Sequence, residues 1–126
     1  MENAEFTYLY RDAGNYKKSG RVIFSNREGL DIDSASKELR QLFLPDGLFI
    51  ARQIRLPEVF LYERGKFTED DHCFHEFNAL NPSSDTANDL NRRSIRDFLM
   101  EVAREASRGW QTLSPDNNES GLFGFL

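Results

Sequence analysis

An α+β fold follows from three features of the sequence. Short runs alternate apolar and polar residues with period two, and two longer stretches repeat apolar residues every three to four positions. The two kinds interleave as strand, strand, helix, strand, strand, helix. That order predicts one domain with an antiparallel or mixed sheet of four to five strands and both helices on one face. A chain of 126 residues fits one core. Residues 1–110 are assigned to that domain and 111–126 to a flexible tail with an apolar end.

The first strand is Phe6–Tyr10, with Phe6, Tyr8 and Tyr10 on one face and Thr7 and Leu9 on the other. Asp12-Ala13-Gly14-Asn15 is a turn, because Gly and Asn tolerate positive φ. Lys17-Lys18-Ser19-Gly20 reads as a second flexible piece, and Arg21–Phe24 resumes the strand, so Phe6–Ser25 becomes a hairpin with a long polar tip. Asp31, Asp33 and Ser34 are N-cap candidates for a helix whose stripe is Ile32, Ala35, Leu39, Leu42 and Phe43. Pro45-Asp46-Gly47 ends it. Leu48–Leu56 is the next expected strand, closed by Pro57, and Val59–Tyr62 is a short edge strand or a continuation after a bulge.

His72–Phe77 is read as extended. Cys73, His75 and Phe77 then face one way, and His72, Phe74 and Glu76 the other. Asn81–Asp89 has a loop composition. The last helix spans Asn91 to Ser107, with Ile95, Phe98, Leu99, Val102 and Ala106 as its stripe and Arg93 paired with Asp97 one turn on.

Net charge is −5, which argues against generic phosphate-driven nucleic-acid binding. Aromatic residues make up 13% of the chain, enough to close a core although hydrophobic residues are only 39%. One cysteine excludes an internal disulfide. No apolar run approaches the length of a signal peptide or a membrane helix, so a cytoplasmic location with no membrane association is expected.

The chemistry is concentrated in Glu69–Phe77, which holds both histidines, the cysteine and four carboxylates. Asp70, Asp71, His72, His75 and Glu76 offer imidazole and carboxylate donors for a divalent metal. On a strand His72 and His75 diverge, so the plainer alternative is an acidic turn followed by a packed His75. Cys73 reads as a small buried hydrophobe rather than a nucleophile. Arg11, Asn15, Tyr16 and Lys17 crowd the hairpin tip and could hold an anion or a partner. If the first and last strands meet, Arg11 and Lys17 would lie near Asp71–Glu76. Phe6, Tyr8 and Tyr10 are taken as core rather than as a base-stacking platform. Arg92, Arg93 and Arg96 are taken as a solvated helix face.

The segments Arg11-Asp12-Ala13-Gly14-Asn15-Tyr16-Lys17 and Asp71-His72-Cys73-Phe74-His75-Glu76-Phe77 resemble those of small bacterial proteins to which no activity is attached. The resemblance spans about Phe6 to Phe77 and implies a bacterial source and no mechanism.

No complete catalytic constellation is visible, and no catalytic residue is assigned. The expectation is a cytoplasmic protein-binding module, adaptor or regulatory, without catalytic activity or cofactor. It would dock another protein through an open sheet face or through Leu122, Phe123, Phe125 and Leu126 of the tail. The alternative is a metal-dependent hydrolase, acting on a phosphodiester, with metal on Asp70–Glu76 and phosphate on Arg11 and Lys17.

Overall fold

The structure, a computed structural model, describes residues 2–12, 14–60 and 74–111. Four antiparallel strands form one sheet: β1 (Asn3–Arg11), β2 (Lys17–Phe24), β3 (Leu48–Phe49) and β4 (His75–Ser83), in the order β2-β1-β4-β3. Helices α1 (Ile32–Leu42) and α2 (Ile95–Arg108) supply the other layer. The fold is the expected α+β type.

Alternation along β1 is strict. Ala4, Phe6, Tyr8 and Tyr10 are fully buried, and the residues between them are half-exposed. Ala4, Phe6 and Tyr8 meet Ala35 and Leu39 of α1 and Ile95, Phe98 and Val102 of α2 in one core. Phe6 lies at its centre, its ring 5.2–6.3 Å from those of Tyr8, Phe43, Phe49, Phe77 and Phe98. Offset and edge-on ring pairs of this kind add to simple area burial.

Helix starts are set by side-chain caps. The Asp31 carboxylate accepts from the Ser34 amide at 3.0 Å, so Asp31 is the N-cap of α1. Ser94 caps α2 in a reciprocal box with Asp97. The second helix therefore begins at Ile95, four residues later than its composition suggests, because the cap decides the boundary.

Several expectations are corrected. Lys17–Gly20 is paired strand, not a flexible piece, with Lys18 opposite Tyr10 and Gly20 opposite Tyr8. Of the expected strand Leu48–Leu56 only Leu48–Phe49 is paired. After Phe49 the chain winds into a 3-10 turn over Ala51–Ile54, closed by Arg55 at φ 57°. This bending buries Phe49, Ala51, Ile54 and Leu56 together, which a flat strand alternating between two faces would not do. The expected loop at Asn81 starts later, since β4 runs on to Ser83 through Pro82. Proline is tolerated there because β3 reaches only His75 and Glu76, leaving that side of β4 an edge. A bulge at Asn78, between the pairs Thr7–Ala79 and Tyr8–Phe77, lets Phe77 and Leu80 both face inward. Val59 and Phe60 are not in a strand, and residues 61–62 lie outside the described residues.

Arg93 is the largest correction. It is 6% exposed rather than solvated. Its guanidinium donates to both Asp89 oxygens at 2.9 Å, to Glu101 at 3.1 Å, and to the carbonyls of Ile54 and Arg55 at 2.7 and 3.0 Å. It also lies 5.4 and 5.2 Å from the ring centres of Phe24 and Phe98. Asp97, its expected partner, instead caps α2 and pairs with Arg27 at 3.0 Å. Arg92 and Arg96 are exposed as expected.

Burial alone would raise the Asp89 and Glu101 carboxyls. Hydrogen bonds and charge from Arg93, and for Glu101 also from Arg55, outweigh it and hold both below their ordinary values of 3.8 and 4.5. A carboxyl depressed in the folded state stabilises the fold at neutral pH, and that stability drains away as pH falls below the ordinary values toward the depressed ones. Urea melts from pH 7 to pH 2.5 should therefore show an acid limb, which Asp89→Asn with Glu101→Gln flattens while lowering stability at pH 7.

Gly20 gives a second prediction. A Cβ there would stand 2.6 Å from Cζ of Tyr8, whose hydroxyl is tied to the Pro57 carbonyl at 2.7 Å. Gly20→Ala should cost about 1–3 kcal/mol in the same melts. In a Tyr8→Ala background, where the ring is gone, the same change should cost almost nothing.

Candidate functional site

The hairpin tip and the histidine-bearing strand do meet. Strands β1 and β4 are neighbours, with Leu9 opposite Glu76, and this brings Arg11 onto the Glu76 side chain. The guanidinium makes a two-pronged ion pair, Nε to Oε2 at 2.9 Å and Nη2 to Oε1 at 3.2 Å. A second arm, Nη1, donates to the Asn15 side-chain oxygen. Glu76 holds the Arg11 charge in place and raises its pKa. Asn15 can reach because it sits at φ 68° in a turn closed by Asp12, whose backbone carbonyl accepts from the Asn15 amide and whose carboxylate accepts from the Tyr16 amide.

Tyr16 and Lys17 are exposed, Tyr16 at 73%. The structure therefore gathers Arg11, Asn15 and Glu76 into one fork and leaves Tyr16 and Lys17 facing water.

His75 goes the other way. It is 1% exposed, enclosed by the rings of Tyr8, Tyr10, Phe49 and Phe60 at 4.8–6.2 Å. Its Nε2 accepts from the Val59 amide at 3.0 Å. His75 and Glu76 thus diverge to opposite faces of β4, as an extended run requires. Asp70, Asp71, His72 and Cys73 lie outside the described residues, as do Leu122, Phe123, Phe125 and Leu126. Among the described residues no group of three or more His, Cys, Asp or Glu side chains could hold a metal ion. No helix among them is long and apolar enough to cross a membrane.

The sheet face carrying Arg11 and Glu76 bears a row of polar pairs. Arg21 on β2 bonds Glu5 at 3.0 Å, and Asn78 donates to the Thr7 hydroxyl at 3.0 Å. Between them lie the short side chains of Thr7, Ser19 and Ala79, beside Leu9. On the far side of the molecule a shallow cleft of about 320 Å³ is lined by Glu2, Asn26, Asp31, Asp33 and Pro82 among others. The Asp31 carboxylate there is already occupied in capping α1.

Sequence reasoning missed the ion network of Asp89, Arg93, Arg55 and Glu101, and the separate buried carboxylate of Glu105. Their signal was present: Glu101 and Glu105 fall on the apolar stripe of α2, three and seven residues after Phe98, where an unpaired carboxylate would be costly. Glu105 accepts from Gln53 at 3.0 Å and from Arg108 at 3.1 Å.

No family model, curated protein or solved structure matches this chain.

Removing the imidazole separates packing from metal binding. His75→Leu leaves the Val59 amide without its acceptor, a loss of about 1–3 kcal/mol. We expect the full loss in thermal melts run with a chelator. A histidine whose contribution came through metal would show no difference under those conditions.

Proposed function

We propose that this chain is a small protein-binding module, adaptor or regulatory in character, that works in the cytoplasm without catalysis of its own. The face of the sheet that no element among the described residues covers carries this reading. Both helices pack on the opposite face, while Glu5, Thr7, Leu9, Arg11 and Glu76 remain half-exposed on rigid strands. Their charges are already fixed by the Arg11–Glu76 and Arg21–Glu5 pairs, so a partner would meet a preorganised surface and lose little side-chain freedom on docking. A polar, ion-paired face of this kind suits a reversible association better than a permanent one.

Metal-dependent hydrolysis is less well supported. It would require His75 to leave an aromatic enclosure and Glu76 to exchange Arg11 for a metal.

A photo-crosslinking amino acid placed at Leu9 or Ala79 should give discrete protein adducts in cells, and the same group at Lys37 or Arg104 on the helices should not. Truncation after Gln111 separates this face from the tail, since adducts made by the face survive it. Equal labelling from both sides of the molecule would refute the reading.

A further inference from the structure

The outer edge of β2 is a sheet edge whose backbone is open over part of its length. Among the described residues strand β2 pairs with β1 on one side only. Its register with β1 runs without interruption from Phe24 opposite Ala4 to Lys17 opposite Arg11. In an antiparallel pair, alternate residues turn their N–H and C=O toward the neighbour and away from it. Two observations at opposite ends fix which residues turn outward. The Asp12 amide bonds the Tyr16 carbonyl at 3.1 Å across the hairpin, so even-numbered β2 residues face β1. At the other end the Ile23 amide and carbonyl face away and are taken by Asn88, each at 2.8 Å. Lys17, Ser19 and Arg21 share the parity of Ile23. Their amides and carbonyls therefore point outward, and among the described residues no hydrogen bond is made to them.

Asn88 already occupies this edge at Ile23, its backbone amide donating and its side-chain oxygen accepting. Among the described residues the row it begins is unoccupied from Arg21 back to Lys17, and Lys17, Lys18, Ser19 and Arg21 are all exposed.

Charge decides what fits. The chain carries −5 overall, yet this edge bears Lys17, Lys18 and Arg21. Lys17 and Lys18 form no ion pair among the described residues, whereas Arg21 is held by Glu5 and by Asp85 at 3.6 Å. A second copy pairing antiparallel about Ser19 would set Lys17 opposite Arg21, and like charges directly opposed are destabilising. Edge lysines deter self-association for this reason. The same charges attract an acidic strand.

We propose that the edge Lys17–Arg21 takes an extended acidic segment of a partner protein as a fifth strand, continuing the row that Asn88 starts. The ladder would supply register and the lysines the preference for acidic sequence. This inference rests on the protein-binding reading above and names the surface and the chemistry of the partner.

The test uses the full chain and a labelled eight-residue peptide alternating Glu with Val or Thr. Controls are the same peptide with Lys for Glu, and with alternate amides N-methylated to remove ladder donors. We expect the acidic peptide to bind at least tenfold more tightly than either control. We also expect it to slow hydrogen exchange at the Ser19 and Arg21 amides while leaving those of Tyr8 and Val22 unchanged. Ser19→Pro removes an outward donor without touching the β1 ladder and should abolish binding. Lys17→Glu with Lys18→Glu should reverse the charge preference and covers the case in which the proline variant does not fold. Equal binding of the N-methylated peptide, or unchanged exchange at Ser19, would overturn the proposal. Loss of this result with adducts at Leu9 intact would remove the edge alone; loss of both would remove the binding reading as well.

Discussion

A single buried guanidinium ties the molecule together. Arg93 reaches the loop before α2 through Asp89, α2 itself through Glu101, and the bend after β3 through the carbonyls of Ile54 and Arg55. It also rests on the stacked rings of Phe24 and Phe98, whose centres are 4.4 Å apart, and so reaches β2. A buried cation tolerates no missing partner, and breaking such a pair typically costs about 3–5 kcal/mol. That intolerance fixes two irregular segments and α2 relative to one another where apolar packing alone would allow sliding. Arg55 extends the network outward, donating to Glu101 at 2.7 and 2.9 Å.

The clamp has a consequence at the sheet edge. Asn88, which occupies the outer edge of β2 at Ile23, is the chain neighbour of Asp89. Holding Asp89 therefore holds Asn88, and this determines where the covered part of the edge stops. The proposed docking edge and the core network are in this sense joined: the buried ion cluster sets the boundary of the exposed backbone row.

Of the run with the densest chemistry, His75 and Glu76 are among the described residues. A run holding both histidines and four carboxylates invites a metal site. Yet extended geometry sends His75 into an aromatic enclosure and Glu76 to the other face, where Arg11 holds it. These two adjacent donors do not converge, because neighbouring side chains on a strand point apart. The meeting of Arg11 with Glu76 was foreseeable only on the assumption that the first and last strands adjoin, which the pairing of β1 with β4 satisfies.

Local patterns in the sequence determined the fold class, the face of β1 that is buried, the apolar stripes of both helices and the turn at Asp12–Asn15. Each depends on a period or a residue preference that acts over a few positions. Tertiary structure alone decided that Lys17–Gly20 is strand, since pairing with β1 orders a stretch whose composition is that of a loop. It likewise decided that Leu48–Leu56 bends, that β4 continues through Pro82, and that Arg93 is buried. In every one of these the deciding partner lies far along the chain, and burial against a distant partner outweighs the modest local preferences that a sequence displays.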